Sequence, residues 1–341
     1  MSGTSLDGVD LCYVKFEYPN FHFEILKAET ISYNEFWKEK LQNALHLSGE
    51  KLTRLDVEYG FFLGVTVRNF CEKHAVQQLD FIASHGHTIF HNPAAHYTLQ
   101  IGNGACIYAK TGIKTVYDFR TQDVIWGGQG APLVPIGDEL LFGNYDACLN
   151  LGGFSNISFR KNGKRIAFDI CPVNIILNYL AEKLGQKYDK NGEIARNGTI
   201  DFQLVQSLNQ LEFYQKEPPK SLGIEWCREN IHPILNASTL CPQDLIASFT
   251  EHIAIQIAEV CNRHQLKNLL VTGGGAYHQF LIESIQRKTA TEIILPENQI
   301  IEFKEALIFA LMGLLRIENQ VNVFQSVTGA SKDHSTGLIV G

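Results

Sequence analysis

Short apolar runs with strand character alternate along the chain with longer segments of helical periodicity. Residues 9–16 and 22–32 are rich in aromatic and β-branched side chains and predict strands, whereas hydrophobic positions in residues 36–47 and 52–76 recur at helical spacing. A further apolar run at residues 80–84 predicts a short buried strand. This alternation of strands and helices predicts an α/β fold.

The second half of the chain repeats the alternation after a glycine-rich centre. The dipeptide Asn162-Gly163 stands between two apolar runs and predicts a tight β-hairpin. Beyond it, residues 242–263 predict a long helix, residues 268–272 a strand and residues 277–287 another helix. Two α/β halves, each opening near a glycine turn, predict a duplicated architecture.

Length and composition support two lobes that share a cleft. A chain of 341 residues with 45% hydrophobic content holds more than a single core usually fills. We therefore expect an N-terminal α/β lobe at residues 1–120, to which the C-terminal helix can return. Residues 121–341 are expected to form a C-terminal α/β lobe.

Charge and cysteine content narrow the class of ligand. The net charge of -7 comes without a long run of like charges, so neither nucleic acid nor an anionic membrane is expected as a partner. The longest apolar run, residues 306–315, is too short to span a bilayer. Eight scattered cysteines without a Cys-x-x-Cys pair indicate free thiols in a reducing cytoplasm. A small-molecule ligand fits this composition best.

Three glycine turns stand at the ends of predicted strands: residues 2–10, 150–156 and 271–276. Glycine allows main-chain N–H groups to converge on an anion, and a helix after the third turn can point its N-terminus at a phosphate. Asp7 and Asp10 can hold the Mg²⁺ of a nucleotide. Because the Walker A pattern and a complete Gly-x-Gly-x-x-Gly fingerprint are absent, a nucleotide held between two lobes is favoured over P-loop or Rossmann binding.

Asp169 is the candidate acid/base residue. It stands at the end of the predicted hairpin, where a carboxylate can reach a transferring phosphoryl group or an attacking water. The alternative is that Asp169 caps the following helix. Spacing alone leaves the two interpretations open.

Two further segments carry polar groups suited to a ligand. Asp118 and Arg120, with Gln129 and Gly130, can bind a hydroxylated or carboxylated molecule, or can form a salt bridge and a tight turn. Glu305 opens the apolar helix that ends near Arg316, where its charge can simply favour the helix N-terminus.

Three histidines, His85, His87 and His91, follow the strand predicted at residues 80–84 and lie in a predicted polar loop. They raise the possibility of a zinc hydrolase. No cysteine or glutamate completes a convincing ligand set, and loop histidines more often form hydrogen bonds.

Along nearly its whole length the chain resembles the anhydro-N-acetylmuramic acid kinases. The matching segments are residues 2–10, His85-Gly86, Asp118-Phe119-Arg120, residues 127–133, 150–156 and 169–174, Tyr188-Asp189 with Gly192 and Ala195, residues 218–221, Gly273 to Ala276, Glu305-Ala306, and residues 326–330. The resemblance implies a two-lobed actin/hexokinase-like fold, built from duplicated ribonuclease H-like units, with ATP in the interlobe cleft.

The resemblance also implies a reaction and residue roles. In this family, 1,6-anhydro-N-acetylmuramic acid, ATP and water give N-acetylmuramic acid 6-phosphate and ADP in peptidoglycan recycling. Asp169 matches the catalytic aspartate, a general base on the water, and Asp7 is the candidate Mg²⁺ ligand. The expected ATP-binding residues are Gly3, Thr4, Ser5, Leu6, Asp7, Gly8, Val9, Asp10, Gly152, Gly153, Asn156, Gly273, Gly274 and Gly275. The expected sugar-binding residues are Asp118, Arg120, Gln129, Gly130, Asn174 and Glu305.

The chain departs from the family pattern in three places. The family has a strand before the first glycine turn, so we expect the natural start to lie upstream of Met1. Ile170, Cys171 and Val173 replace a threonine and two glycines beside Asp169, which predicts a narrower sugar pocket or a repacked back wall. His87 stands where a glutamine is usual.

These departures keep two rival functions open. The first is a different sugar kinase of the same fold, and the second is a non-catalytic protein that binds nucleotide or sugar. The oligomeric state also stays open, with a homodimer as one expected form.

Overall fold

The computed structural model describes residues 1–3 and 6–341. The strands are β1 (Gly8–Glu17), β2 (His22–Ser32), β3 (Ile82–Ser84), β4 (His87–Asn92), β5 (Tyr97–Ile101), β6 (Thr115–Tyr117), β7 (Ala147–Leu151), β8 (Phe154–Lys161), β9 (Lys164–Pro172), β10 (Asn268–Thr272), β11 (Glu292–Ile294) and β12 (Leu338–Val340). The α-helices are α1 (Glu35–Gln42), α2 (Gly49–Lys73), α3 (Gly104–Thr111), α4 (Thr121–Ile125), α5 (Pro135–Leu140), α6 (Asn174–Glu182), α7 (Glu193–Asn197), α8 (Phe202–Asn209), α9 (Glu212–Gln215), α10 (Ile224–Trp226), α11 (His232–Ala237), α12 (Pro242–Arg263), α13 (Gln279–Gln286), α14 (Asn298–Ile317) and α15 (Gln325–Thr328). The predicted mixed α/β class is confirmed.

Local sequence signals account for several of these elements. The helix α12 and the strand β10 have the predicted bounds, and Pro242 opens α12 because the first helical turn does not need its N–H. In the β8–β9 hairpin, Asn162 and Gly163 have φ values of 52° and 77°. A two-residue hairpin turn of type I′ requires positive φ at both positions, so the Asn-Gly signal gives the predicted hairpin.

The chain divides into two compact units. The first contains Met1–Leu141 together with Phe303–Gly341, and the second contains Phe142–Glu302. The C-terminal residues therefore belong to the same unit as the N-terminal ones. The division falls after Leu141, whereas the sequence suggested a boundary after residue 120.

The second unit is built around one five-stranded sheet in the order β11-β10-β7-β8-β9. The strands β7, β8 and β9 form an antiparallel meander, and β10 and β11 extend it in the direction parallel to β7. A meander continued by two parallel strands is the sheet of a ribonuclease H-like unit. The long helix α12 packs into the core, with Phe249, Ile253 and Ile257 fully buried.

The first unit contains the smaller sheets β12-β6-β3, β1-β2 and β4-β5 in its described part. The helix α14 lies against β3, where Gly313 approaches so closely that an added Cβ would be 2.8 Å from the Cβ of Ala83. A largely apolar cavity of about 420 Å³ is lined by residues of β1 and β3 and by Phe70, Phe81 and Ile107. Buried hydrophobic residues of this unit form two clusters, and residues of both line the cavity.

Five of the eight thiols and the apolar segment at residues 306–315 lie in the folded core. All eight cysteines are free, and Cys106, Cys148, Cys171, Cys227 and Cys261 are buried. The apolar segment lies inside α14. Within residues 1–3 and 6–341, no helix combines the length and apolar character that crossing a bilayer requires.

Candidate active site

A row of polar residues crosses four neighbouring strands of the second unit. Thr272 on β10 lies opposite Asn150 on β7, and Asn150 lies opposite Asn156 on β8. Asn156 in turn lies opposite Asp169 on β9. Directly opposed residues share one face of a sheet, so the row brings a carboxylate, two amides and a hydroxyl together. Asn150, Asn156 and Asp169 keep partial solvent exposure, which leaves them accessible to a ligand.

The third glycine turn packs against the end of β7. Gly273 has a φ of 82°, and a Cβ on it would lie 2.5 Å from Asn150 Oδ1. A Cβ on Gly275 would lie 2.7 Å from the Cβ of Leu151. Since β7 and β10 are parallel neighbours, the second and third glycine turns follow strands that end at the same edge of the sheet. The structure thus brings together the two glycine turns predicted for this half.

The second glycine turn is bonded to the start of α6. The N–H of Val173 donates to Gly153 O at 2.8 Å, and the N–H of Asn174 donates to Gly152 O at 3.3 Å. Asn174 Nδ2 also donates to Leu151 O at 3.2 Å. The predicted site residues Gly152, Gly153 and Asn174 therefore form one hydrogen-bonded group.

One detail of the third turn differs from the sequence expectation. The turn leads into a short 3-10 helix, Gly274–Tyr277, before α13 begins. His278 caps α13, because its Nδ1 accepts the N–H of Leu281 at 3.1 Å. One N–H at the N-terminus of α13 is thus bonded to a side chain of the protein itself.

Asp169 lies within β9, and one of its carboxylate oxygens accepts a hydrogen bond from a loop that is distant in sequence. The N–H of Leu222 donates to Asp169 Oδ2 at 2.8 Å, and the N–H of Asp169 donates to Lys220 O at 3.1 Å. Burial raises the pKa of Asp169, and the bond from Leu222 partly offsets that rise. Among the described residues, Oδ1 has no protein hydrogen-bond donor. The helix-cap interpretation is wrong, because α6 begins after Val173 and has no side-chain cap.

The substituted residues beside Asp169 point into the core. Ile170 is 2% exposed, and Cys171 and Val173 are fully buried in the main apolar cluster of the second unit. Ser155 Oγ accepts the N–H of Cys171 at 3.1 Å. Burial raises the pKa of the Cys171 thiol to about 12, so the thiol stays neutral. These contacts favour the repacked back wall over a narrower sugar pocket.

The first glycine turn belongs to the first unit and is anchored at Ser2. The buried Ser2 Oγ lies 2.7 Å from Tyr33 Oη and 3.1 Å from His87 Nδ1. Asp7 is exposed, whereas Asp10 Oδ1 accepts the hydroxyl of Thr30 at 2.6 Å. Gly3, Leu6, Gly8 and Val9 belong to the same turn and strand. The predictions for Thr4 and Ser5 lie outside the described residues.

Arg120 is the centre of the predicted sugar-binding segment in the first unit. Its Nε donates to His85 Nε2 at 2.9 Å, and its Nη1 donates to Gly130 O at 2.7 Å. Burial lowers the pKa of Arg120 to about 10, although the carboxylates of Glu305 and Asp123 raise it. The predicted residues Arg120 and Gly130 are therefore in direct contact.

The other predicted sugar-binding residues of this unit have different surroundings. Asp118 Oδ1 accepts the N–H of Thr121 at 3.2 Å, so it supports the start of α4. Gln129 is exposed next to Gly130. Glu305 is exposed and lies inside α14, which begins at Asn298. The expectation that Glu305 opens this helix is wrong, because the helix extends further towards the N-terminus.

The three histidines lie in separate hydrogen-bonded groups. His85 contacts Arg120, His87 contacts Ser2, and His91 Nδ1 lies 3.0 Å from Thr98 Oγ1. His87 and His91 belong to β4 and not to a loop. In the described parts of the chain, no group of three or more histidine, cysteine, aspartate or glutamate residues could hold a metal ion. This arrangement gives the zinc hydrolase interpretation no ligand set.

Sequence reasoning missed Asn150 and Thr272 as members of the polar row. Asn150 carried a signal, because it is the polar residue in the otherwise apolar segment Ala147–Leu151. Thr272 ends the apolar strand β10, immediately before Gly273. A polar residue at the end of a buried strand, next to a glycine turn, was the available clue.

Sequence comparisons identify the family. A family model described as anhydro-N-acetylmuramic acid kinase matches residues 1–341. The anhydro-N-acetylmuramic acid kinase of Haemophilus influenzae is 34% identical over 373 residues, covering 99% of this chain and 96% of that protein. That of Aliivibrio fischeri is 35% identical over 367 residues, covering 99% of this chain and 97% of that protein.

Similarity to solved structures is much weaker. A ROK family protein from Streptococcus pneumoniae TIGR4 in complex with sucrose aligns with 92% of this chain and 97% of its own, with a TM-score of 0.38 and 10% identity. The assignment therefore rests on the family model and the curated relatives. The chain belongs to the anhydro-N-acetylmuramic acid kinase family.

Proposed function

We propose that this protein uses ATP and water to convert 1,6-anhydro-N-acetylmuramic acid into N-acetylmuramic acid 6-phosphate and ADP. Membership of the kinase family supports the substrate and the phosphoryl donor. The observation that supports the chemistry is the position of the half-buried Asp169. It lies in one polar row with residues of β7 and β10, the two strands that precede the glycine turns. We place the reaction in the cytoplasm, in the recycling of peptidoglycan sugars.

Asp169 is proposed as the general base. A water molecule attacks C1 of the anhydro sugar and gives its proton to the Asp169 carboxylate. The C1–O6 bond breaks, and O6 forms a bond to the γ-phosphorus of ATP while the bond from that phosphorus to the bridging oxygen of ADP breaks. Leu222 holds Oδ2, so the free Oδ1 is the oxygen that accepts the proton. The raised pKa of Asp169 makes it a stronger base than an exposed aspartate.

ATP is the second substrate, and the glycine turns supply its main-chain contacts. Gly152 and Gly153 retain exposure, as do Gly273 and Gly274, so a phosphate can approach their backbone. Mg²⁺ usually binds through one or two carboxylates together with the phosphates, and the exposed Asp7 fits that pattern. When bound, the ion neutralises charge on the phosphates.

The sugar is proposed to contact Arg120, Gln129 and Gly130 of the first unit. Arg120 is fixed by His85 and Gly130, so its orientation needs little further ordering when a ligand binds. Gln129 is exposed and presents an amide with both donor and acceptor groups. Asp118, Asn174 and Glu305 remain weaker candidates.

The direct test is product mass spectrometry with ATP, Mg²⁺ and the anhydro sugar. The wild type should form ADP and the 6-phosphate, and Asp169→Asn should lose at least about a hundredfold in rate. The asparagine oxygen can still accept the Leu222 N–H, so loss of the loop contact would not explain the result. Asp201→Asn is the matched control, because Asp201 caps α8 in the same unit.

Labelled water separates the possible routes. Oxygen from the water should appear at C1 of the product and not in its phosphate. Label in the phosphate would contradict the proposed route. Nucleotide binding without any product would favour the binding-only alternative, and turnover of other sugars alone would favour a different sugar kinase.

A further inference from the structure

A fully buried carboxylate joins the Gly127–Gly130 loop to the C-terminal segment of the first unit. Asp123 is 0% exposed. Its Oδ2 accepts the N–H of Gly130 at 2.7 Å, and its Oδ1 accepts the hydroxyl of Thr328 at 2.7 Å. His334 Nε2 lies 3.4 Å from the same Oδ1. One side chain thus connects two segments that are far apart in sequence.

Main-chain hydrogen bonds reinforce this connection. The N–H of Gln129 donates to Thr328 O at 2.8 Å, and the N–H of Ser331 donates to Trp126 O at 3.1 Å. Gly128 lies so close to Asp123 that an added Cβ would be 2.2 Å from Oδ2. The loop therefore has little freedom to move without breaking hydrogen bonds to a buried carboxyl group, which are costly to lose.

The connected loop is also the one that binds Arg120. Gly130 donates its N–H to Asp123 and accepts a hydrogen bond from Arg120 Nη1 through its carbonyl oxygen. A displacement of Gly130 would therefore move the partner of Arg120 as well. Gln129 lies between the Gly128 and Gly130 contacts, is exposed, and is the residue of this loop that carries a side chain.

We propose that Asp123 and Thr328 are positioning residues that hold Gln129 and Gly130 in the conformation that binds the sugar. This inference rests on the proposed function. It gives the segment at residues 326–330, which includes the end of α15, a role in sugar recognition, and the buried Thr328 would act without contacting the sugar. Loss of the Thr328 hydroxyl should therefore raise the KM for the sugar and leave the KM for ATP unchanged.

The test compares Thr328→Val with Thr328→Ser and Thr336→Val in steady-state assays. Valine keeps the volume of threonine and removes the bond to Asp123, so the sugar KM should rise about tenfold or more, with the ATP KM within about twofold. Serine keeps the hydroxyl and should restore the sugar KM. Thr336 is fully buried, and its hydroxyl has no partner among the described residues, so Thr336→Val is the matched control and should keep the sugar KM.

Amide hydrogen exchange gives a readout that does not depend on turnover. Exchange at Gly128, Gln129 and Gly130 should be faster in Thr328→Val than in the wild type and in Thr336→Val. Unchanged exchange, or faster exchange with an unchanged sugar KM, would overturn the inference. An equal rise in both KM values would also overturn it. A wild-type protein that does not turn over the sugar would instead overturn the proposed function.

Discussion

Asn156 lies directly opposite Asp169 in the β8–β9 ladder. The same ladder system continues through Asn150 to Thr272, which precedes the third glycine turn. The separation between the proposed base and the proposed phosphate-binding turn is therefore set by strand pairing, which is among the stiffest parts of a fold. A site built on strands holds its geometry more accurately than one built on loops.

The pH dependence of kcat/KM should reflect the environment of Asp169. Burial raises the pKa of this carboxylate, and only its deprotonated form can accept a proton from water. Activity should therefore fall on acidification with an apparent pKa above about 3.9, the value of an unperturbed aspartate. A pH profile of the wild type measures this limb. A limb at or below that value would contradict the assignment of Asp169 as the base.

Two adjacent glycines should differ sharply in their tolerance of alanine. A Cβ on Gly275 would lie 2.7 Å from the Cβ of Leu151, whereas a Cβ on Gly274 meets its nearest neighbour, Asn174 Nδ2, at 3.7 Å. Gly275→Ala should lower the free energy of unfolding by about 1–3 kcal/mol and raise the ATP KM. Gly274→Ala is the matched control and should change stability by less than about 0.5 kcal/mol.

Urea unfolding and ATP titration of the two variants test this difference. Similar stability of both proteins would show that the close approach of Gly275 to β7 is not required. An unchanged ATP KM in Gly275→Ala would show that nucleotide binding does not depend on the close packing of this turn.

The elements that the sequence predicts well are those fixed by neighbouring residues. Pro242 and helical periodicity fix the start and length of α12, and Asn162-Gly163 fixes a hairpin turn. The polar row was not predictable in this way, because Asn150 and Thr272 become neighbours only when β7 pairs with β10. Strand register depends on the packing of the whole sheet, and no local pattern contains that information.

Side-chain contacts between residues that are far apart in sequence were equally hard to predict. Asp169 was predicted as a site residue, but its partner Leu222 lies on a distant loop that spacing could not identify. Asp123 received no functional prediction, because its contact with Thr328 joins the two ends of a long sequence interval. The sequence pattern predicts a helix start at Glu305, because polar residues precede it, whereas α14 begins at Asn298.

Replacement of Arg120 by lysine should weaken sugar binding despite conserving charge. Arg120 uses two different nitrogens to reach His85 and Gly130, at 2.9 Å and 2.7 Å. A lysine ammonium cannot reproduce this fork, so at least one of the two contacts is lost. We expect Arg120→Lys to raise the sugar KM about tenfold, with little change in the ATP KM.

Steady-state kinetics with each substrate varied in turn would measure the effect of Arg120→Lys. Arg54→Lys is the control, since Arg54 forms an exposed ion pair with Glu58 on α2. Equal sugar KM values in the wild type and Arg120→Lys would remove Arg120 from the proposed sugar site.

His87 should make the protein less stable as the pH falls. Burial lowers the pKa of His87 to about 4, whereas an unfolded histidine titrates near 6.5. Between these values the unfolded state binds more protons than the folded state, so the free energy of unfolding decreases as the pH drops through this window. The free energy of unfolding is about 3 kcal/mol higher above the unfolded pKa than below the folded pKa on account of His87. His252, whose pKa burial lowers to about 3, acts in the same direction and remains in the variant.

His87→Gln isolates this contribution, because glutamine does not titrate and keeps a polar group able to meet the Ser2 hydroxyl. Urea unfolding at pH 7, 5.5 and 4.5 should show a smaller loss of stability in His87→Gln than in the wild type. The exposed His22 provides the control His22→Gln, which should follow the wild type. Parallel loss of stability in all three proteins would mean that His87 is protonated as easily in the folded state as in the unfolded state. The buried site beside Ser2 would then accept a protonated His87.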